Sequence, residues 1–151
     1  MDRIFLFKDE TIINKPRPEV FNFFSEAANL EILTPPWLRF CILSNLPITM
    51  SKGVQINYRL QLYYIPLKWL TEISLWEPPF RFIDEQLKGP YKLWVHLHQF
   101  EDTDTGTKMI DEVKYIIPKV PFRHFITNHF VTNRINEIFS YRKKKILEYF
   151  S

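Results

Sequence analysis

The chain has 151 residues, 46% apolar and 17% aromatic, with a formal net charge of +3. That length suits one domain with a sizeable core, and the mild positive charge, dispersed outside one C-terminal run, argues against nucleic acid as a partner. One cysteine, Cys41, permits no internal disulfide, the N-terminal apolar run is too short for a signal peptide, and no stretch reaches membrane-spanning length. The expectation is a single cytoplasmic domain over residues 1–151, without integral membrane association.

Residues 3–14 read as a first strand. Prolines then open 15–38, where helical spacing at Val20, Phe23 and Phe24, and again at Leu30 and Leu33, predicts two short helices ended by Pro35-Pro36. Strands are expected at Arg39–Asn45 and at Val54–Ile65, where Val54, Ile56, Tyr58, Leu60 and Leu62 alternate with polar residues. Leu67–Trp76, Phe80–Leu87, Leu93–Glu101 and Lys108–Ile117 complete a set of seven. Gly53, Gly89 and Gly106 all fall at strand boundaries or turns, so none remains for a phosphate-cradling loop. Pro121–Phe150 closes the chain with no further proline or glycine. Its apolar residues Phe122, Phe125, Ile126, Phe130, Val131, Ile135, Ile138, Phe139, Ile146 and Phe150 recur at helical spacing. Its basic run, Arg142–Lys145, suits a solvated helix end near the negative pole of the dipole, with contact to anionic lipid as the alternative.

The order predicts an α+β fold in which a curved antiparallel sheet grips one long C-terminal helix. It resembles the helix-grip fold of the START and birch-pollen-allergen-like (SRPBCC) superfamily. Asn29–Leu38, Phe82–Phe100, Gly106–Pro118 and Ile138–Ile146 are similar to its bacterial polyketide cyclase/dehydrase branch. More narrowly, they resemble the small proteins of that branch that also occur fused to epimerase-like domains. Lys119-Val120-Pro121-Phe122 stand where such sequences often carry glycines. The resemblance implies an apolar cavity between sheet and helix, but no single reaction.

Strand side chains alternate between faces. One face collects Phe82, Asp84, Gln86, Trp94, His96, His98, Phe100, Met109, Asp111, Val113 and Tyr115. The other carries Arg81, Glu85, Glu112 and Lys114, so the first is taken as inward. Pairing across a four-residue loop from Thr103 to Gly106 sets Trp94 against Tyr115, His96 against Val113, His98 against Asp111 and Phe100 against Met109. A turn at Gly89-Pro90 sets His96 near Asp84 and Trp94 near Gln86. A carboxylate then sits beside each histidine within an aromatic shell. Such pairs are often purely structural; they can also orient a ligand's polar head, serve as acid and base, or bind zinc. No third histidine lies nearby, because His124 and His129 belong to the helix.

Tyr58, Trp69 and Trp37 are candidates for the cavity or its mouth, with core packing the favoured role for Trp69, and Trp76, on the other parity from Trp69, is expected at an edge. His129 and Asn133 either face the cavity or the solvent. The candidate ligand-binding residues are Tyr58, Trp69, Phe82, Asp84, Gln86, Trp94, His96, His98, Phe100, Asp111, Val113, Tyr115 and His129. If catalysis occurs, His96, His98 and Asp111 would carry it; no metal and no cofactor is expected. Nucleophile-elbow, zinc-protease and dinucleotide patterns are absent, and Cys41 reads as a small buried hydrophobe. The leading expectation is binding or transport of a lipid, isoprenoid or polyketide-like molecule. The alternatives are a cyclase or dehydratase with a histidine base, and an interaction module for an epimerase-like partner.

Overall fold

The computed structural model describes residues 1–62, 64–119 and 124–151, and the side chains of all of these but 124–127. Strands β1 (Phe5–Ile13), β2 (Cys41–Ile42), β3 (Gln55–Leu62), β4 (Ile65–Glu77), β5 (Arg81–Lys88), β6 (Leu93–Thr103) and β7 (Gly106–Ile116) form one seven-stranded sheet in the order β1-β7-β6-β5-β4-β3-β2. Every pairing is antiparallel. Helix α1 (Arg17–Ser25) and the short α2 (Leu30–Leu33) follow β1, and α3 (His124–Tyr149) ends the fold. At 26 residues, α3 is about 39 Å long. This is the expected helix-grip architecture.

The sequence explains most element ends. Pro16 caps α1 and Pro18 falls in its first turn, where a missing N–H costs nothing. Helix α1 buries Val20, Phe21, Phe23 and Phe24. On α3, Val131, Ile135, Phe139, Ile146 and Phe150, just beyond its end, are buried as their spacing predicts, whereas Phe130 is exposed. Of the remaining stripe, Phe122 and the side chains of Phe125 and Ile126 lie outside the described residues, as does the start of the helix expected at Pro121.

Several boundaries differ from expectation. The strand expected at Arg39–Asn45 shrinks to β2, because Arg39 is left-handed (φ 44°) and the Leu43 and Ser44 amides both bond to Asn57 O. Ile65 opens β4 rather than ending β3, after Tyr64 at φ 66°. Thr103 pairs with Gly106, so the β6–β7 turn has two residues, Asp104 and Thr105, instead of four. A side chain on Gly106 would meet Ile13 O at 2.2 Å, so only glycine lets this hairpin sit against the end of β1. Strand β4 has a bulge between Ile73 and Leu75, and one extra residue reverses parity. Trp76 therefore turns inward onto Phe21 and Phe82 instead of capping an edge.

Two apolar cores result. One joins α1, the end of α3 and the sheet through Phe21, Phe24, Phe82, Phe100, Met109, Ile146 and Phe150. The other joins the first half of α3 to β7 through Val113, Tyr115, Val131, Ile135 and Phe139. The candidate site lies between them.

Candidate functional site

The expected inward face is the inward face: Phe82, His96, His98, Phe100, Met109, Asp111, Val113 and Tyr115 are all buried. The register places His96 opposite both Val113 and Asp84, and His98 opposite Asp111. The shortest contacts nonetheless run diagonally. His96 Nε2 lies 2.7 Å from Asp111 Oδ1 and His98 Nε2 lies 2.6 Å from Asp84 Oδ2. The straight-across separations are longer, 3.7 Å from His96 Nδ1 to Asp84 and 3.5 Å from His98 Nδ1 to Asp111. Diagonal neighbours on one sheet face are within reach of long side chains. Here the two imidazoles stack at 3.7 Å, with Phe82 stacked on His98 at 4.2 Å and Phe139 edge-on to His96. Four polar groups thus interlock inside aromatic rings.

Arg142, expected in a solvated helix end, is 7% exposed and belongs to this cluster. Its Nε lies 3.5 Å from Asp111 Oδ2, and its guanidinium lies over the Phe24 ring. The reason is helical phase: Ile135, Phe139, Arg142 and Ile146 occupy i, i+4, i+7 and i+11 of the buried stripe. The rest of the basic run does reach solvent, Lys143 bonding Asp9 and Lys145 bonding Glu148. It stops short of the last turn of α3, which has no basic residue and where a dipole effect would be felt.

Burial acts on Asp84, His98, Asp111 and Tyr58. It pushes the Asp111 carboxyl up, but the Arg142 charge and the His96 hydrogen bond outweigh it and hold Asp111 well below the usual carboxylate range. For Asp84, burial is likewise outweighed, by the His98 hydrogen bond and the charges around it, and its carboxyl is lowered. Burial, with His96 alongside, lowers His98 to about 4 against the pull of both carboxylates. At neutral pH, Asp84 is therefore an ionised acceptor and His98 a neutral ring. The proton of that ring sits on Nε2, facing Asp84, and its Nδ1 carries a lone pair. Burial and the nearby Asp84 raise the Tyr58 phenol well above its usual value, so it remains a donor.

These groups form part of the wall of a cavity of about 180 Å³ between the sheet, α2 and α3. Among the expected residues, Tyr58, Trp69, Phe82, Asp84, Trp94, His96 and His98 line it, together with Arg142 and Tyr91. Tyr58, Tyr91 and Trp94 all pack their rings against Trp69. The remaining expected residues stand elsewhere. Asp111 is behind His96, while Phe100, Val113 and Tyr115 belong to the flanking cores. Gln86 is not in the lining: its amide donates to Tyr91 O at 2.7 Å and accepts from Tyr91 N at 3.1 Å. A Cβ on Gly89 would lie 2.5 Å from that side chain. His129 is exposed and bonds Asn133 on its own helix, too far round α3 to face the cavity. A second depression of about 370 Å³, which includes Trp37, Tyr64 and Arg134, adjoins the cavity and shares Leu38, Leu62, Tyr91 and Ile138 with it.

Sequence reasoning missed Arg142 and Tyr91. Helical phase pointed to the first; the second follows a turn whose geometry no periodicity reports. Asp84, His96 and His98 each offer one ligand atom, all within 4.8 Å of one another, so the three could hold a metal ion. Among the described residues, no helix is long and apolar enough to cross a membrane.

No family model and no curated protein matches the chain by sequence. Solved structures match by shape. The di-domain ARO/CYC StfQ from the steffimycin biosynthetic pathway aligns with a TM-score of 0.73 at 9% identity, over 97% of this chain and 51% of that one. Ara h 8.0201 aligns at 0.63 with 12% identity, over 97% and 99%. A nucleoside-diphosphate sugar epimerase from Corynebacterium glutamicum aligns at 0.66 with 23% identity, over 94% of this chain but 28% of its own. At these identities what is shared is the fold, and the helix grip expected from sequence is the one observed.

Proposed function

We propose that this chain binds an apolar small molecule in the cavity between sheet and α3, as a carrier or sensor. The observation that carries the reading is an apolar, aromatic cavity with one polar patch, built from Asp84, His96, His98 and Arg142. Apolar burial would supply most of the affinity, at about 25 cal/mol per Å², and the patch would select the ligand's polar end. The cavity alone compares with one of about 150 Å³ that accommodates benzene. With the adjoining depression, the space reaches the range of ordinary ligand pockets, which would admit a lipid, isoprenoid or polyketide-like molecule. Native mass spectrometry of protein purified without detergent tests this. A stoichiometric small-molecule adduct is expected, and neither an adduct nor any binder from a solvent extract would reject the reading.

A second reading, a cyclase or dehydratase, is favoured by the lone pair of His98 Nδ1. That nitrogen would take the α-proton of a β-hydroxyketone and return it to the departing hydroxyl, which leaves as water while the double bond forms. Binding remains preferred, because a base near 4 is far from the operating pH at which proton transfer is most effective. His96→Gln and His98→Gln should alter ligand preference modestly in a carrier. In an enzyme they should cut turnover about a hundredfold or more. The reading includes no metal, since a cation would have to sit beside the Arg142 charge that the cluster already holds. Stoichiometric zinc that disappears in His98→Ala would overturn that. The likeness to part of an epimerase chain supports an epimerase-like protein as partner, and the free Cys41 suits the cytoplasm.

A further inference from the structure

We infer that the ligand is uncharged, and that it carries a carbonyl oxygen which accepts hydrogen bonds from the buried guanidinium of Arg142. This rests on the cavity-binding reading and names the chemistry of the molecule that the cavity takes. Buried polar atoms are nearly always hydrogen-bonded, and each exception calls for a reason. Among the described residues, most of the exceptions gather at one place. Arg142 Nε and Nη2, Trp69 Nε1 and His98 Nδ1 are buried without a hydrogen-bond partner, and all three residues line the cavity. They are 7%, 6% and 3% exposed, so bulk water does not satisfy them.

The orphan atoms also state what is missing. Arg142 and Trp69 only donate, so the absent partner must accept. The unpartnered acceptor at the cavity, His98 Nδ1, is close to Asp111, the carboxylate that also faces Arg142. A hydroxyl near the carbonyl could donate to it.

Charge then separates a carbonyl from a carboxylate. The guanidinium contributes one positive charge, and Asp84 and Asp111 contribute two negative ones within the same cluster. Even a proton on His96 would only bring the group to neutrality. An anionic ligand would leave water for a site with no spare positive charge, a costly transfer. A neutral carbonyl needs only the idle Nη2 group. Arg142 is already positioned to donate from it, with Phe24 supporting its face and Asp111 its Nε edge.

Three probes of nearly the same size and shape test the inference by calorimetry at neutral pH: acetophenone, α-methylstyrene and benzoate. They differ in whether the substituent is a carbonyl, a hydrocarbon or a carboxylate. Acetophenone is expected to bind about tenfold or more tighter than α-methylstyrene, as for a hydrogen bond to a charged donor, and benzoate more weakly than acetophenone. Arg142→Met should bring the ketone and the hydrocarbon to within about threefold of each other. Equal affinity for ketone and hydrocarbon in the unaltered chain would show that water alone satisfies these donors. That result overturns the inference and leaves the cavity reading standing, as would benzoate binding tightest. If none of the three binds, the cavity reading fails and takes this inference with it. The comparison on the unaltered chain decides the matter whether or not Arg142→Met folds.

Discussion

The middle of α3 and its C-terminal end meet the sheet in different ways. Toward Phe150, α1 and the sheet fill the space with Phe21, Phe23, Phe24, Phe82 and Phe100, ring against ring at centroid distances of 5.2 to 6.3 Å. Around Ile135 to Arg142 the same helix faces a cavity whose wall holds unpartnered polar atoms. The chain has no shortage of bulky residues, so the empty space is not for want of material. One region maximises contact, and the other gives up both contact and hydrogen bonds. Stability was available there and was not taken, which is what the proposed binding site would require.

The largest effects should come from breaking each region by its own logic. Phe100→Ala in the packed end should cost about 3–5 kcal/mol in urea denaturation, the usual result for a buried aromatic. Asp111→Asn should cost a similar amount, because it leaves Arg142 buried without its counter-charge. The two regions should then part in their pH dependence. Unfolded His98 takes up a proton below about pH 6.5, whereas the folded chain refuses it until about 4. Stability should therefore be fully present above 6.5 and decline between those values, by about 3 kcal/mol in total. Asp84 and Asp111, both depressed, act the same way lower down: their contribution is present above the ordinary carboxylate range and lost as pH falls through their folded values. Phe100→Ala should keep the upper decline and His98→Gln should remove it. A stability that stays flat from pH 6.5 to 4.5 in the unaltered chain would contradict the buried neutral imidazole.

Much of this was legible in the sequence. The β6–β7 register followed from pairing the strands across Thr103–Gly106, and a one-residue slip would have buried Glu112 and Lys114. The inward face and the gripping helix came from periodicity. What escaped had specific causes. The β4 bulge adds one residue without a sequence mark, so strict alternation gives Trp76 the wrong parity. The charged neighbours of Arg142 suggest solvent, whereas its phase on the helix decides its burial. The His–Asp pairs expected across the strands stand there, but the shorter contacts run diagonally, because register fixes Cα positions and not the lean of a ring. Tyr91 owes its place to the hydrogen bonds of Gln86, which no periodicity encodes.

Truncation beside the empty space should cost less than truncation in the packed end. Leu60 is buried and lines the cavity, and a side chain bordering a void already lacks contacts on one side. Leu60→Ala should cost about 2 kcal/mol, at the low end for such a change. A loss as large as that of Phe100→Ala would mean that the cavity is filled in solution.

The smallest effect on stability should carry the most information about the site. Gln86 does not line the cavity, yet its side chain closes two hydrogen bonds with the backbone of Tyr91, which does. Gln86→Leu keeps the approximate size and removes both bonds, at a cost of about 1–2 kcal/mol for partly buried neutral pairs. If Tyr91 is an essential wall, releasing it should weaken binding of a cavity probe such as acetophenone severalfold, although the substituted residue never touches it. Tyr91 also packs its ring on Trp69 and Trp94, so the same variant should shift tryptophan emission. In the packed end, a loss of about 1–2 kcal/mol by truncation should leave probe affinity unchanged. Equal probe affinity in Gln86→Leu, with emission shifted, would mean that the wall moves without consequence. Recognition would then lie wholly with Arg142, His98 and the groups around them.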